Sequence, residues 1–358
     1  MDIGIIGLEN TGKTTIFNAI TGLEAEVTTY SIKDSKPNKA TVKLKDERLV
    51  CLYNIFQPEK LVYATMNIID MPPISEDHKS SWGIKLVEFT KNIDMIIEVV
   101  RSFKREDVIY RYDDIDPVRD IKTLDSEIIF SDYTIIEKRI QRLSKKKGNL
   151  TNEEKYELPI LEKLKKALEE EIPLRTLNLT EQEMFILKGY NLLSLKPLLI
   201  ILNTDEEFSN SDLIAKIENL GKEINFNSIH MCGAMEMDIN MLDDNEKEEY
   251  MRELGIEESA IEMVKKAIFD SLGLISFFTV GKDEVRAWPI GDGTIAHKAA
   301  SKIHTDIEKG FIKAQVVHYK DFKQYPDFVT LKEKGLLRLE GKEYMVKDGD
   351  IIEFRFNI

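Results

Sequence analysis

Short apolar runs alternate with amphipathic segments along most of the chain, and this alternation predicts a parallel α/β fold. Runs at residues 3–6, 63–69, 95–100 and 197–202 have the length and composition of buried strands. Segments between them carry apolar residues at three- and four-residue steps, which predicts helices packed on a sheet. The chain is therefore expected to be built around an α/β domain.

One long helical pattern interrupts this alternation. Apolar residues recur at helical spacing from Leu124 to Leu143 and again from Leu158 to Leu168, with the lysine-rich segment 145–149 between them. This predicts a hairpin of two long helices that resembles an antiparallel coiled coil. The strand pattern resumes at Pro197, so the hairpin is an insertion in the α/β domain. Its basic tip is either a solvated turn or a nucleic-acid contact.

The first predicted strand leads directly into residues 7–14, GLENTGKT, which fit the phosphate-loop pattern GxxxxGK[ST]. A predicted helix follows, which is the context this loop requires. Gly7 and Gly12 let the backbone curl so that amides face a phosphate. Lys13 is expected to bind the β- and γ-phosphates, and the Thr14 hydroxyl to bind Mg²⁺. The nucleotide-binding residues predicted here are Asn10, Thr11, Gly12, Lys13, Thr14 and Thr15.

Asp70 ends the second predicted buried strand. An acid at a strand end, downstream of a phosphate loop, is the expected position of a second carboxylate on the magnesium side. The alternative is an ordinary turn residue. We favour the magnesium role, with Thr14 and Asp70 as the predicted metal residues.

From residue 274 the pattern changes to short strands separated by turn residues around one helix near 296–303, which predicts a small α+β domain with a mixed sheet. The predicted boundaries are 1–120 for the first part of a P-loop NTPase domain, 121–195 for the hairpin, 196–273 for the second part of the NTPase domain, and 274–358 for the tail domain. The fold class is therefore α/β, with an inserted antiparallel helical hairpin and a C-terminal α+β domain.

Composition limits the cellular compartment and the binding partners that are expected for this chain. The formal net charge of −14 excludes a general polyanion binder, but residues 274–358 carry 14 basic against 13 acidic side chains. Any RNA contact is therefore expected at the tail domain or the hairpin tip. The two cysteines, Cys51 and Cys232, are far apart in the sequence, no stretch is apolar enough to span a bilayer, and the first strand begins at once. We expect a cytoplasmic protein.

These features, together with several short motifs, make the chain similar to the YchF/Obg-like ATPase family over nearly its whole length. The motifs lie at residues 7–14, 116–121, 203–206, 284–288, 303–306, 308–312 and 354–357. The resemblance implies a P-loop domain, an inserted coiled coil and a C-terminal TGS domain of β-grasp type. It also implies ATP as the preferred nucleotide and association with the ribosome, either its RNA or its proteins, through the hairpin tip and the TGS-like domain.

The resemblance also suggests which residues recognise the base. GTPases use an NKxD motif, whereas here Thr204 replaces the lysine and Glu206 the aspartate. Adenine presents an amino group where guanine has a carbonyl, and the longer glutamate changes the reach, so we favour ATP over GTP. The alternative is a polar turn after a strand. Asn203, Glu206, Cys232 and Gly233 complete the predicted nucleotide set, and Asn10 lies where related proteins can bind K⁺.

The chain departs from the family pattern at positions concerned with hydrolysis. Pro73 replaces the glycine of a DxxG motif and has no N–H to offer a γ-phosphate. Asp34 aligns with the switch threonine, and Tyr110 with a histidine implicated in hydrolysis. His78 is either a substitute or a solvated side chain. We therefore assign no catalytic residue and expect slow ATP hydrolysis.

Three functions fit these features. The first is a ribosome-associated ATPase whose nucleotide state positions the hairpin and tail. The second is a binding module that needs ATP but does not cycle. A small-molecule kinase ranks lowest, because the insertion is a heptad hairpin and lacks the arginines of a phosphate lid.

Overall fold

The computed structural model describes residues 1–23, 37–72, 93–105, 107–146, 148–253 and 258–357. Backbone contacts divide the chain into two compact units. The first comprises residues 1–41 and 67–268, and the second residues 42–66 and 269–358. Several switch positions considered above, Asp34, Pro73 and His78, lie outside the described residues.

Twelve strands form from the described residues, in two sheets. They are β1 (Asp2–Ile6), β2 (Asn38–Leu44), β3 (Lys60–Val62), β4 (Ala64–Asp70), β5 (Met95–Ser102), β6 (Leu198–Thr204), β7 (Asn227–Met231), β8 (Leu274–Val280), β9 (Glu284–Gly291), β10 (Phe311–His318), β11 (Arg338–Glu340) and β12 (Asp350–Phe356). One sheet has the order β2-β4-β1-β5-β6-β7 and the other the order β11-β10-β12-β8-β9-β3.

The helices of the described residues follow. They are α1 (Lys13–Thr21), α2 (Glu47–Phe56), α3 (Pro117–Ser144), α4 (Asn152–Glu169), α5 (Glu181–Leu187), α6 (Ser211–Ile224), α7 (Gly233–Met241), α8 (Asp244–Glu253), α9 (Ala260–Ser271), α10 (Ala296–Ile303), α11 (Thr305–Lys309), α12 (Tyr319–Gln324) and α13 (Phe328–Glu333), with a 3₁₀ turn at Leu174–Thr176. Within this described part, no helix combines the length and apolar character needed to cross a membrane.

Five neighbouring strands of the first sheet run parallel. β1 pairs with β4 and β5, β5 with β6, and β6 with β7, all in parallel. Every residue of β6 is buried, as the continuous apolar run predicts for a strand covered on both faces. Because parallel strands share one carboxyl edge, the register places Asp70 opposite Ile5 and Asn203 opposite Arg101 at that edge. The predicted α/β fold is confirmed.

The inserted helices form the predicted hairpin. Asp116 caps α3 by accepting a hydrogen bond from the Arg119 amide, and Thr151 and Glu154 form a capping box at the start of α4. Ile121, Leu124 and Ile128 of α3 pack in the core of the sheet, whereas the apolar residues farther along α3 pack against α4. The base of the hairpin is therefore rigidly joined to the sheet.

The second unit contains a mixed sheet, as the tail pattern predicts. β8 and β9 are antiparallel, β8 and β12 parallel, and β12 and β10 antiparallel. This order, with α10 packed against one face through Ala296, Ala299 and Ala300, is the arrangement of a β-grasp domain. Strand β10 has no counterpart in the sequence predictions. Its register shifts between Phe311 and Lys313, so its buried positions follow no simple alternation.

Residues 42–66 belong to the second unit, although the sequence pattern places them in the NTPase domain. Arg48 of α2 binds Asp46 and Asp348, with 2.5 Å between its Nη1 and the Asp348 Oδ2. Leu49 and Leu52 are fully buried beside Phe278 of the C-terminal sheet. Arg48 and Asp348 are 300 positions apart in the sequence, and Phe278 is also remote from α2, so no local pattern predicts these contacts.

Candidate functional site

The loop at residues 7–14 adopts a tight backbone curve that two glycines make possible. Gly7 has φ 153° and Gly12 has φ 88°, both in the region that disfavours side chains. A Cβ on Gly7 would lie 2.5 Å from the Val99 carbonyl oxygen, and one on Gly12 would collide with the Asn203 amide. Gly12 leads directly into α1, so the loop ends at a helix N-terminus. This is the geometry of an anion-binding loop.

Lys13 lies inside this curve. Its side chain is only 7% exposed, and its Nζ donates a hydrogen bond to the Leu8 carbonyl at 2.7 Å. Burial lowers the pKa of Lys13 to about 8, although the carboxylates of Asp70 and Glu9 favour the charged form. A phosphate oxygen would add negative charge beside this buried ammonium and favour its protonated form. The position therefore fits the predicted role of Lys13.

Thr14 and Asp70 form the second part of the site. The Thr14 hydroxyl donates to Asp70 Oδ2 at 2.8 Å, and Asp70 is 7% exposed. Its Oδ1 is buried without a hydrogen-bond partner among the described residues. Burial raises the pKa of this carboxyl, against the hydrogen bond from Thr14, the charge of Lys13 and a weaker interaction with the Asn38 side chain. An orphaned carboxylate oxygen beside a hydroxyl fits a divalent cation.

The donor set is also of the right kind for magnesium. The described residues contain no group of three or more His, Cys, Asp or Glu side chains arranged to hold a metal ion. Magnesium needs no such cage, because it is usually held by one or two protein oxygens together with phosphates and water. The Thr14 and Asp70 oxygens therefore fit magnesium carried by a nucleotide better than a metal bound by the protein alone.

Asn203 connects the phosphate loop to the segment after β7. Its Nδ2 donates to the Thr11 carbonyl at 3.0 Å, and its Oδ1 accepts from the Gly233 amide at 3.1 Å. A Cβ on Gly233 would meet Ile16, Asn203 and Thr15, so the backbone there must approach α1 closely. The structure thus brings together four predicted residues, Thr11, Thr15, Asn203 and Gly233. Asn203 fixes the backbone of Thr11 and Gly233 by its two hydrogen bonds.

Glu206 and Cys232 lie beside this connection. Glu206 is exposed, just beyond β6. Burial raises the pKa of the Cys232 thiol, and the nearby carboxylates of Glu206 and Asp205 raise it further. Because β6 and β7 are parallel neighbours with Asn203 opposite Met231, the residues that follow the two strands lie at the same edge of the sheet. The predicted base-recognition residues therefore surround one region at the carboxyl edge of the sheet, and among them Glu206 presents a carboxylate to solvent.

Asn10 and Arg101 connect the phosphate loop to residues 103–109, which follow β5. Asn10 has φ 60°, and its Nδ2 donates to the Ile109 carbonyl at 2.9 Å. Arg101, which is almost fully buried in β5, donates to the carbonyls of Asn10, Phe103, Arg105 and Val108. Its guanidinium also lies 4.5 Å from the Phe103 ring centre. Sequence reasoning did not single out Arg101, although a charged residue in an apolar strand run was a usable signal.

Tyr110 is hydrogen-bonded through its hydroxyl to the first hairpin helix. Its hydroxyl makes a short hydrogen bond to Asp120 Oδ2 on α3, and its ring lies 4.9 Å from the Arg101 guanidinium. Burial, together with this carboxylate, raises the pKa of Tyr110 well above its ordinary value. The hydroxyl therefore remains protonated and serves as a donor to Asp120.

Two family models match this chain. Residues 2–140 match a model described as 50S ribosome-binding GTPase, which covers the phosphate loop and the first hairpin helix. Residues 274–357 match the C-terminal domain model of YchF GTPases, described as a protein of unknown function (DUF933). Together the two models cover the loop and the β-grasp part of the chain.

Comparison with full-length relatives also finds YchF proteins. The chain is 38% identical to proteins named ribosome-binding ATPase YchF from Pasteurella multocida and Bacillus subtilis, and each match covers 99% of both sequences. A structure of the Schizosaccharomyces pombe YchF GTPase superposes with a TM-score of 0.85 at 29% identity, covering 99% of this chain and 97% of that one. The phosphate loop, the inserted hairpin and the β-grasp unit, combined with these matches, place the chain in the YchF family.

Proposed function

We propose that this protein binds ATP with Mg²⁺, hydrolyses it to ADP and phosphate, and associates with the ribosome. The observation that carries the proposal is the buried trio of Lys13, Thr14 and Asp70 beside a curved, glycine-dependent loop. The Lys13 ammonium is buried and Asp70 Oδ1 has no hydrogen-bond partner among the described residues, and a metal–triphosphate would provide a ligand for both groups. The names of the full-length relatives support the same activity and the same partner.

Each group has a distinct part in this proposal. The Lys13 ammonium binds the β- and γ-phosphates, and the amides of the loop, including Thr15, bind the phosphate oxygens. The Thr14 hydroxyl and the Asp70 carboxylate would hold the magnesium ion. When bound there, magnesium would supply positive charge beside the phosphates. Asn203 keeps the Thr11 backbone and Gly233 in register with this arrangement.

ATP is the proposed nucleotide, with GTP as the alternative. Glu206 is the exposed carboxylate near Cys232 and Gly233, where the base would lie. Its extra methylene relative to aspartate changes its reach toward a base edge. Potassium is proposed beside Asn10, whose side-chain nitrogen already donates to Ile109.

Ribosome association is proposed to use the hairpin and the C-terminal β-grasp, TGS-like unit, and we infer a cytoplasmic location from this partner. The basic tip is a weaker candidate than its lysines imply, because Lys146 pairs with Glu154. The predicted boundaries at residues 120, 195 and 273 are retained as a working division of the chain. Residues 42–66 are assigned to the β-grasp part.

A non-cycling ATP-dependent binding module is the second candidate. It is favoured by the bond between Tyr110 and Asp120, which commits the hydroxyl proton of Tyr110 to Asp120. Pro73 adds to this argument, since it cannot donate a backbone hydrogen bond to a γ-phosphate. An ATPase that hydrolyses ATP slowly would be intermediate between the two candidate functions.

Substitution of Lys13 by alanine tests the proposal. We expect ATP–Mg²⁺ affinity to fall about 100-fold or more, which corresponds to about 2.7 kcal/mol, and phosphate release to stop. Affinity is measured by calorimetry and turnover by phosphate release on the same samples. Lys222→Ala, an exposed lysine on α6, is the matched control and should behave as the unmodified protein.

The outcomes separate the candidates. Turnover that disappears in Lys13→Ala supports an ATPase. ATP binding without any turnover, and equal ribosome affinity with ATP and with a non-hydrolysable analogue, supports the non-cycling module. Absence of ATP and GTP binding by the folded, unmodified protein would refute both.

A further inference from the structure

Two grooves flank the short helix α5, which lies beside the hairpin. The larger has a volume of about 1180 Å³ and lies between α5 and the first half of α4. The smaller has a volume of about 620 Å³ and lies on the other side of α5, toward Ile93 and Leu195. Phe185 lines both, so α5 forms a ridge between two depressions. None of the predicted nucleotide residues lines either groove.

The ridge and the larger groove expose an unusual amount of apolar surface. Phe185 is 80% exposed, Tyr156 on the facing helix 74%, and Met184 45%. Aromatic side chains contribute much of the energy of protein interfaces, and clustered exposure of this kind marks binding sites. The groove is open enough to accept a side chain of similar size.

The wall of the larger groove is built from a fixed polar network. Arg139 of α3 donates two hydrogen bonds to Glu157 of α4, at 2.8 and 2.7 Å, and the Tyr190 hydroxyl donates a short hydrogen bond to the same carboxylate. Paired groups of this kind hold their rotamers without a ligand. The apolar surface is therefore presented by a preformed scaffold, which lowers the entropy lost on binding.

The rim of the larger groove is acidic. Glu157 and Glu183 are neutralised by Arg139 and Lys163, at 2.7 and 3.0 Å. Glu153 and Glu181 are exposed and form no ion pair among the described residues. The groove thus combines two exposed aromatic rings with an uncompensated negative rim. Phosphate groups would be repelled there, whereas a basic peptide would be attracted.

We propose that this groove binds a basic, amphipathic segment of a ribosomal protein, with an apolar side chain against Phe185 and Tyr156 and lysines or arginines near Glu153 and Glu181. The proposal rests on the ribosome association proposed above and names protein as the contact at this surface. The part of the hairpin beside α5 would then contact protein, and the more basic parts of the chain would be left for RNA.

Ribosome binding by aromatic variants provides the first test. The full chain is sedimented with purified 70S ribosomes in the presence of ATP and Mg²⁺. Phe185→Asp should weaken ribosome binding about tenfold, because it places a charge on the apolar ridge. Phe130→Asp is the matched control, since Phe130 is 66% exposed on α3 but lines neither groove. The control should bind within about twofold of the unmodified protein.

Charge reversal and crosslinking identify the class of partner. Glu153→Lys with Glu181→Lys should weaken binding about fivefold, whereas Glu162→Lys with Glu170→Lys, which makes the same net-charge change outside the grooves, should not. A benzoylphenylalanine at position 185 should crosslink to a ribosomal protein. Stronger binding after reversal at the groove, or crosslinks to RNA or to a second copy of this chain, would overturn the proposal.

The two proposals fail in different ways. If the unmodified chain does not sediment with ribosomes, ribosome association itself is refuted, and this proposal with it. If it sediments and the Phe185 variant binds equally well, only the groove is refuted. Nucleotide affinity is measured for every variant, and an unchanged value shows that the α/β unit remains folded.

Discussion

The phosphate end of the candidate site and its base end differ in the solvent exposure of their charged side chains. At the phosphate end, residues 7–14 and Asp70, the ammonium and the carboxylate are each 7% exposed. At the base end, residues 203–206 and 232–233, the carboxylate of Glu206 is exposed. Because electrostatic interactions are strongest away from water, the phosphate end is expected to dominate affinity and the base end only to adjust selectivity.

Asn203 joins the two ends. Its sequence position suggests a contact with the base, but its amide bonds to Thr11 and Gly233. The residue therefore acts on both ends at once by holding the backbone. The motif and the geometry predict different roles for Asn203, and these can be distinguished by measuring the affinities for ATP and for GTP.

Asn203→Ala is expected to have the largest effect among the changes that compare the two ends of the site. It leaves the buried Thr11 carbonyl and Gly233 amide unsatisfied, at a cost of about 2–4 kcal/mol in the free energy of unfolding. Affinities for ATP and GTP should fall by the same factor, about tenfold or more. Chemical denaturation and calorimetry measure these quantities. Asn178→Ala, at an exposed position, is the control. A loss confined to one nucleotide would instead indicate direct base recognition.

The second prediction concerns pH. Because burial lowers the Lys13 pKa to about 8, ATP affinity should fall about tenfold between pH 7 and pH 9 as the ammonium loses its proton. The stability of the nucleotide-free protein changes in the opposite direction. Between about pH 8 and 10.5 the unfolded chain binds this proton and the folded chain does not, so the Lys13 contribution to stability rises with pH.

Lys13→Met is the control for both effects, since it removes the titrating group. Calorimetry in two buffers with different ionisation enthalpies should detect proton uptake on ATP binding in the unmodified protein at pH 8.5. Uptake that persists in the methionine variant would assign the proton to another residue.

Glu206→Asp is expected to have the smallest effect. Shortening the exposed carboxylate should change the ratio of ATP to GTP affinity about threefold, toward GTP, with little change in stability. Fluorescent analogues of both nucleotides measure this ratio. Glu207→Asp, its exposed neighbour, should leave the ratio unchanged. A change of 100-fold would mean that the base end determines selectivity far more strongly than its exposure suggests.

The groove at α5 extends the comparison to the hairpin. The phosphate end places charges in a buried position for a small anion, whereas the groove places aromatic rings in solvent beside an acidic rim. The first arrangement suits a metal–nucleotide and the second a basic polypeptide. Both lie on the first unit, which therefore offers two chemically different surfaces.

The sequence was sufficient for features whose physical cause is local. The phosphate loop needs glycines, a lysine and a threonine at fixed spacing between a strand and a helix, and residues 7–14 provide all of them. The hairpin follows from apolar residues at helical spacing, and β5 and β6 from continuous apolar runs. The Asp70 carboxylate was recognisable from its place at a strand end.

The remaining features depended on contacts between distant segments. The pairing of Asn203 with Thr11 and Gly233 joins positions up to 192 residues apart, and Arg48 binds Asp348 across 300 residues. Strand β10 is irregular because of its bulge, so no period indicates it. Local spacing thus determined the loop, the hairpin and the main strands. Only the tertiary structure decided what Asn203 holds, where residues 42–66 belong and that α5 lies between two grooves, because hydrogen bonding and packing between remote residues leave no periodic signal.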